Sequence, residues 1–225
     1  MMRLNKFIAQ AGISSRRRAD ELILDGKIKV NGVVTKELGK VIDANNDQVE
    51  YGQKLLKFNT DYLYLALNKP VGYIASASGL QGKSVLELVK TTKRVYPVGR
   101  LDKDSCGLII LTNDGDLTNH LTHPKYEKEK EYQVLLNKDF EIADQRKMEQ
   151  SMVIGDKKLR PVNVVKVDGR KINLILHEGI NRQIRKMLGR LGYGVMELKR
   201  IRIGRLKLGA LKPGEYREIK KEEII

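Results

Sequence analysis

One stretch constrains this chain more than any other. Arg94 to Asp116 reads R-V-Y-P-V-G-R-L-D-K-D-S-C-G-L-I-I-L-T-N-D-G-D. Leu108, Ile109, Ile110 and Leu111 form an unbroken apolar, β-type run, which predicts a strand buried on both faces. Tyr96 to Leu101 leads into a polar loop, and Gly107 to Thr112 leaves it. Between them sit Arg100, Asp102, Lys103, Asp104 and Ser105. A charged loop flanked by buried strands is a rigid mount for reactive side chains.

Asp102 is the candidate reactive group. Arg100 lies two positions earlier, so in an extended chain both side chains point the same way. A guanidinium beside a carboxylate favours its charged form, and an oriented carboxylate serves as a nucleophile or a base. Spacing alone leaves a second reading open, in which Asp102 caps a turn or pairs with Arg100 on the surface. Asp102 with Asp104, or Asp114 with Asp116, offers oxygen ligands for Mg²⁺. Asn113-Asp114-Gly115 reads better as a turn entering a helix, with Asp114 near the N-cap.

Composition points to a polyanionic partner. The 225 residues carry 43 Lys or Arg against 28 Asp or Glu, a formal charge of +15. No long apolar run and no aromatic-rich amphipathic anchor is present, so a membrane is not expected to be that partner. The lone cysteine, Cys106, excludes an intrachain disulfide and a cysteine zinc site, and no secretory segment is recognised at the start. A cytoplasmic location is therefore expected. His120, His123 and His177 have no metal-ligand spacing, and no glycine-rich dinucleotide loop occurs. Neither a metal nor a cofactor is expected.

Leu4, Phe7, Ile8 and Ala11 recur at helical spacing before Gly12. Ser14 or Ser15 can cap a second helix whose apolar face is Ala19, Leu22 and Ile23. Asn31-Gly32 then predicts a type I′ hairpin. Arg16, Arg17 and Arg18 fall in the first turn of the second helix, where cations oppose the helix dipole. Folding supplies no reason for them there, and a helix N-terminus with three arginines suits RNA phosphate.

Further on, Lys69-Pro70 makes a turn, and residues 75–84 are expected to form a flexible loop. Tyr132, Val134 and Leu136 alternate on one face of a strand. Asp168-Gly169 joins two more strands. Ile184, Met187, Leu188 and Leu191 mark the buried side of a helix crowded with Arg182, Arg185 and Lys186. Arg182 to Lys207 holds nine Lys or Arg against one acid, Glu197. Lys199, Arg200 and Arg202 among apolar residues predict a strand with one basic, RNA-tracking face.

Four of these segments carry a family resemblance. G-R-L-D-K-D-S-C-G-L-I-I-L-T-N-D-G-D, K-P-x-G at Lys69, K-E-Y-Q-V at Lys130 and N-R-Q-I-R-K-M at Asn181 resemble the motifs of the RsuA-type bacterial pseudouridine synthases (the RsuA/RluB/RluF group), in family order. Residues 2 to about 50 resemble the small S-four-like (alpha-L) RNA-binding module. The resemblance implies that Asp102 is the catalytic aspartate. It implies that Tyr132 stacks on the target base and acts in proton transfer, and that Arg185 pairs with Asp102. Whether the carboxylate adds to C1′ or removes a C2′ proton stays open.

The expectation is an α+β chain: a helix-helix-hairpin RNA-binding domain over residues 1–59, then a mixed, mainly antiparallel sheet catalytic domain with flanking helices over 60–225. Its function is isomerisation of a uridine in ribosomal RNA, large subunit before small, by a catalytic triad of Asp102, Tyr132 and Arg185. Arg100, Arg16, Arg17, Arg18, Arg182, Lys186, Lys199, Arg200 and Arg202 are the expected RNA contacts. A monomer acting on ribosomal RNA, free or within a pre-ribosomal particle, is expected. A synthase acting on small-subunit or transfer RNA, and a ribosome-associated binding protein without activity, are the alternatives.

Overall fold

A computed structural model of the chain describes residues 1–77 and 82–225; part of the loop expected over 75–84 lies outside the described residues. The chain divides into two compact units, Met1–Tyr62 with Asn113–Gly115, and Leu63–Thr112 with Asp116–Ile225. Among the described residues, no helix is long and apolar enough to cross a membrane.

The first unit runs β1 (Met2–Arg3), α1 (Leu4–Gln10), α2 (Arg16–Leu24), β2 (Ile28–Val30), β3 (Val33–Thr35), β4 (Val41–Ile42), β5 (Val49–Tyr51) and β6 (Lys54–Leu55). Ser15 caps α2 by accepting the Arg18 amide, which satisfies one of the donors a helix start leaves free. Asn31 and Gly32 both take positive φ, as the type I′ turn between β2 and β3 requires. Leu4, Phe7 and Ile8 of α1 meet Ala19, Leu22 and Ile23 of α2 over Ile28, Val30 and Val49. Full burial of each large apolar side chain contributes roughly 1.5–3 kcal/mol, which offsets the ordering of so small a unit.

Among the described residues, the second unit holds a nine-stranded sheet and a separate two-stranded ribbon. Its elements are β7 (Tyr64–Lys69), β8 (Tyr96–Pro97), β9 (Cys106–Thr112), α3 (Gly115–Thr122), β10 (Lys130–Leu136), α4 (Ile142–Met148), β11 (Val153–Ile154), β12 (Lys157–Lys158), β13 (Asn163–Asp168), β14 (Lys171–Leu176), α5 (Gln183–Arg190), β15 (Val195–Ile203), β16 (Leu206–Lys207) and β17 (Tyr216–Glu218). Strand order is β13-β14-β10-β15-β9-β7-β17, with β16 on β15 and β8 on β9. Every pair is antiparallel except β15 with β9. The mixed, mainly antiparallel α+β architecture is the one expected.

The apolar run 108–111 is the middle of β9, and all four side chains are fully buried. Leu108 and Ile110 pack into a core with Leu117 and Leu121 of α3; Ile109 and Leu111 pack into another with Leu65 and Leu67 of β7. Alternate residues thus serve opposite faces, which is why the run is continuous instead of alternating. At the parallel seam, Gly107 sits at φ +104°, and a Cβ there would lie 2.2 Å from the Arg200 carbonyl oxygen. Only glycine allows β9 and β15 to approach this closely.

Candidate active site

The loop from Val98 to Ser105 leaves β8, carries Arg100, Asp102 and Asp104, and enters β9. It is braced from the end of β7. Lys69 is fully buried, and its ammonium donates to the carbonyls of Ser105 at 2.6 Å and Pro70 at 3.0 Å. The Gly72 amide donates to the Lys103 carbonyl at 2.8 Å. Within the loop the Ser105 amide donates back to the Asp102 carbonyl at 3.1 Å. The K-P-x-G turn thus holds the backbone on both sides of Asp104. Burial lowers the Lys69 pKa to about 8, against the opposing pull of Cys106, Asp104 and Asp102.

From the other side, α5 contributes two arginines. Arg182, at the N-cap with φ 54°, donates from Nη1 to both Asp104 carboxylate oxygens at 3.1 Å. The same Nη1 lies 3.9 Å from Asp102 Oδ2. Arg185 has a side chain 14% exposed, and its Nε lies 3.4 Å from Asp104 Oδ2. It donates from Nη2 to the Asp104 carbonyl and from Nη1 to the Val195 carbonyl, each at 3.0 Å. Arg185 thereby ties the acidic loop to the start of β15.

Asp102, with a side chain 29% exposed, opens onto a cleft shared with Arg100, Tyr132, Ile180, Arg182 and Leu198. Tyr132 stands on β10 between Leu174 of β14 and Arg200 of β15. The cleft therefore combines a carboxylate, a guanidinium and an aromatic ring with apolar walls. Such a lining suits a planar polar ring presented edge-on to a carboxylate. Among the described residues no three His, Cys, Asp or Glu side chains gather as a metal site.

Several placements differ from the sequence expectations. Arg185 pairs with Asp104, and the guanidinium near Asp102 is Arg182; the left-handed N-cap turns Arg182 toward the loop. Arg100 is exposed and forms no ion pair with Asp102. Lys199, Arg200 and Arg202 do not share one basic face. A register shift opposite Glu131 and Tyr132 leaves Ile201 without a partner on β10, which reverses the facing of the residues after it. Arg200, before the shift, is buried, and Arg202, beyond it, is turned to the other face and held by Glu131 and Glu129, each at 2.9 Å. Lys186, Arg16, Arg17 and Arg18 are exposed, with Arg18 paired to Glu21 and Arg16 reaching Asn5. Lys69 appeared in the sequence reading only as the start of the K-P-x-G motif, and Asp104 only as an oxygen ligand beside Asp102; neither was expected to hold the loop.

Comparison with known proteins shows which family the chain is similar to. The family model described as RNA pseudouridylate synthase matches residues 63–189, and that of the S4 domain matches residues 2–49. The "Ribosomal large subunit pseudouridine synthase B" of Bacillus subtilis is 40% identical over 100% of this chain and 94% of its own length. An "Uncharacterized RNA pseudouridine synthase" of Aquifex aeolicus is 39% identical over 99% and 92%. The "Dual-specificity RNA pseudouridine synthase RluF" of Escherichia coli is 36% identical, covering 100% of this chain and 77% of its own. A solved structure titled "Crystal structure of pseudouridylate synthase" superposes with a TM-score of 0.73 at 29% identity, over 100% of this chain and 98% of that one. A sequence model over more than half the chain, full-length relatives above 30% identity and a matching fold lead to one conclusion: this chain belongs to the RNA pseudouridine synthase family, enzymes of the isomerase class.

Proposed function

We propose that this chain isomerises a uridine of large-subunit ribosomal RNA to pseudouridine, with Asp102 as the reacting carboxylate. The observation that carries the reading is the immobilised loop: Lys69 and Gly72 hold its backbone from one side, Arg182 and Arg185 from the other, and Asp102 alone of its two acids opens on the cleft with Tyr132. The reaction breaks the N1–C1′ bond, rotates the uracil, and joins C5 to C1′. N1 gains a proton and C5 loses one, so no redox partner is required. The base must leave its stack, and a positioned carboxylate beside the sugar needs little reorganisation as charge develops.

In this reading Tyr132 offers its ring to the flipped base and its hydroxyl to the proton transfer. Arg182 stands close enough to Asp102 to orient it. Arg185 acts through Asp104 and the loop backbone. Residues 1–59 form the RNA-binding domain, with Arg16, Arg17 and Arg18 on phosphates, and residues 60–225 the catalytic domain. The large-subunit assignment follows from the name of the Bacillus subtilis relative. A cytoplasmic monomer acting on ribosomal RNA, free or in an assembling particle, completes the reading.

Asp102→Asn tests it, because asparagine keeps size and removes charge. The parent protein should convert one uridine in ribosomal RNA, mapped by carbodiimide block and primer extension. The variant should convert none while keeping its RNA affinity and circular dichroism. Parent-like turnover by Asp102→Asn would overturn the assignment.

A further inference from the structure

A second hollow lies beside the Asp102 cleft and shares Arg100, Tyr132, Glu178 and Gly179 with it. Its cationic side is Lys128, Lys130 and Arg200, and its apolar side is Val98, Leu121 and Ile203. Arg200 is only 2% exposed. Its Nε donates to the Leu108 carbonyl at 2.8 Å, but its buried Nη2 has no hydrogen-bond partner among the described residues. Lys130 stands two residues before Tyr132 on the same face of β10, and its ammonium donates to the Lys128 carbonyl at 2.9 Å. Burial, and then the nearby Arg200 charge, lowers the Lys130 pKa to about 8.

Two like charges lining one hollow, Arg200 buried and Lys130 half-buried, cost folding free energy unless something opposes them. Arg202, on the same strand, shows what a structural cation looks like here: two carboxylates hold it. No carboxylate does this for Arg200 or Lys130 among the described residues. The acid on the wall, Glu178, already accepts from the Arg160 amide at 3.0 Å and from Gln183 Nε2 at 2.6 Å. The hollow thus holds two cations, an idle guanidinium N–H and one carboxylate whose hydrogen bonds go elsewhere.

We propose that this hollow is a phosphate subsite, in which Arg200 and Lys130 grip a phosphodiester of the RNA strand next to the nucleotide in the Asp102 cleft. The proposal rests on the RNA-modifying reading above and extends it to a site that fixes the strand while one base is drawn out. A guanidinium and an ammonium converging on one oxyanion form charge-assisted hydrogen bonds, stronger in a partly dry hollow than on the surface. The shared Tyr132 wall makes strand binding and base placement neighbouring events.

The test uses the full chain and two probes. Inorganic phosphate, against chloride at matched ionic strength, should raise the melting temperature of the parent. Lys130→Gln should weaken the apparent phosphate affinity on the order of tenfold, the worth of one charged hydrogen bond, while Lys130→Arg keeps it. Lys54→Gln, an exposed change in the other unit, should leave it unaltered. In the second arm, binding of a ribosomal RNA fragment is followed across salt concentrations. Lys130→Gln should flatten the log–log slope by roughly 0.7, one contact's share. An equal phosphate response in parent and Lys130→Gln overturns the subsite. A phosphate response that depends on Lys130 with an unchanged RNA slope overturns the RNA assignment, since the hollow would then take free phosphate. Arg200→Gln is a second variant; if it fails to fold, Lys130→Gln carries the test alone. Failure of the parent to modify RNA would strike the functional reading and not the phosphate arm.

Discussion

Lys69→Met separates the stability of this fold from the rigidity of its acidic loop. Methionine has a similar length and no charge. In the native protein the Lys69 pKa falls from 10.5 to about 8, chiefly through burial. At ~1.4 kcal/mol per pH unit, the folded state disfavours the ammonium by about 3 kcal/mol relative to water. Removing the charge lifts that penalty but strips the Ser105 and Pro70 carbonyls of their donor. An unpartnered buried acceptor costs roughly 1–3 kcal/mol, and of the two bonds only that to Ser105 is wholly buried, so the two effects nearly cancel at pH 7. We expect the variant to unfold within about 2 kcal/mol of the parent there.

The pH dependence is the sharper signal. Below pH 8 both folded and unfolded chains hold the Lys69 proton, and the full penalty is present. Between about 8 and 10.5 only the unfolded chain holds it, so parent stability rises with pH. Lys130, also lowered to about 8, adds a second rise of the same sign. Denaturant unfolding from pH 7 to 10.5 should therefore show a parent-minus-Lys69→Met difference that grows by about 3 kcal/mol. Single-turnover pseudouridine formation should fall on the order of tenfold or more at pH 7, because the Asp102 loop has lost its anchor. A pH-independent difference between the two proteins would refute the buried-ammonium argument. Parent-like turnover would refute the anchoring argument.

Arg185→Lys should slow the chemical step on the order of tenfold to a hundredfold with RNA affinity little changed, because an ammonium cannot serve Val195, the Asp104 carbonyl and the Asp104 carboxylate together; single-turnover kinetics decide it, and a defect confined to binding would make Arg185 an RNA contact. Replacing Arg16, Arg17 and Arg18 with Gln should lower the salt slope of RNA binding by roughly 0.7–0.9 per lost phosphate contact without loss of melting temperature. Gly107→Ala should destabilise by on the order of 2–6 kcal/mol, from positive φ and a Cβ driven into the Arg200 backbone, as read by denaturant unfolding.

Much of this protein was legible without its fold, because the deciding physics is local. The Ser15 cap, the Asn31-Gly32 turn and the buried face Ile184, Met187, Leu188 depend on residues within a turn or two of each other. The run 108–111 announced its own burial on both sides of the sheet. The Asp102 loop was recognisable from its flanking strands and its motif. What the tertiary structure alone decided are the pairings between distant segments. Which arginine meets which aspartate depends on how α5 starts, and a single left-handed residue, Arg182, sends its own side chain to Asp104 and within 3.9 Å of Asp102. The basic strand read as one RNA-facing surface from its run of cations, although alternation already turns the neighbours Lys199 and Arg200 to opposite faces. One unpaired residue at Ile201 shifts the register, so Arg202 leaves the buried face of Arg200 and meets two glutamates. Such shifts are set by the partner strand, so no count along one segment reveals them. Lys69 makes the same point: its strand was readable, but its bond to the Ser105 carbonyl exists only because β7 pairs with β9 and ends at the acidic loop.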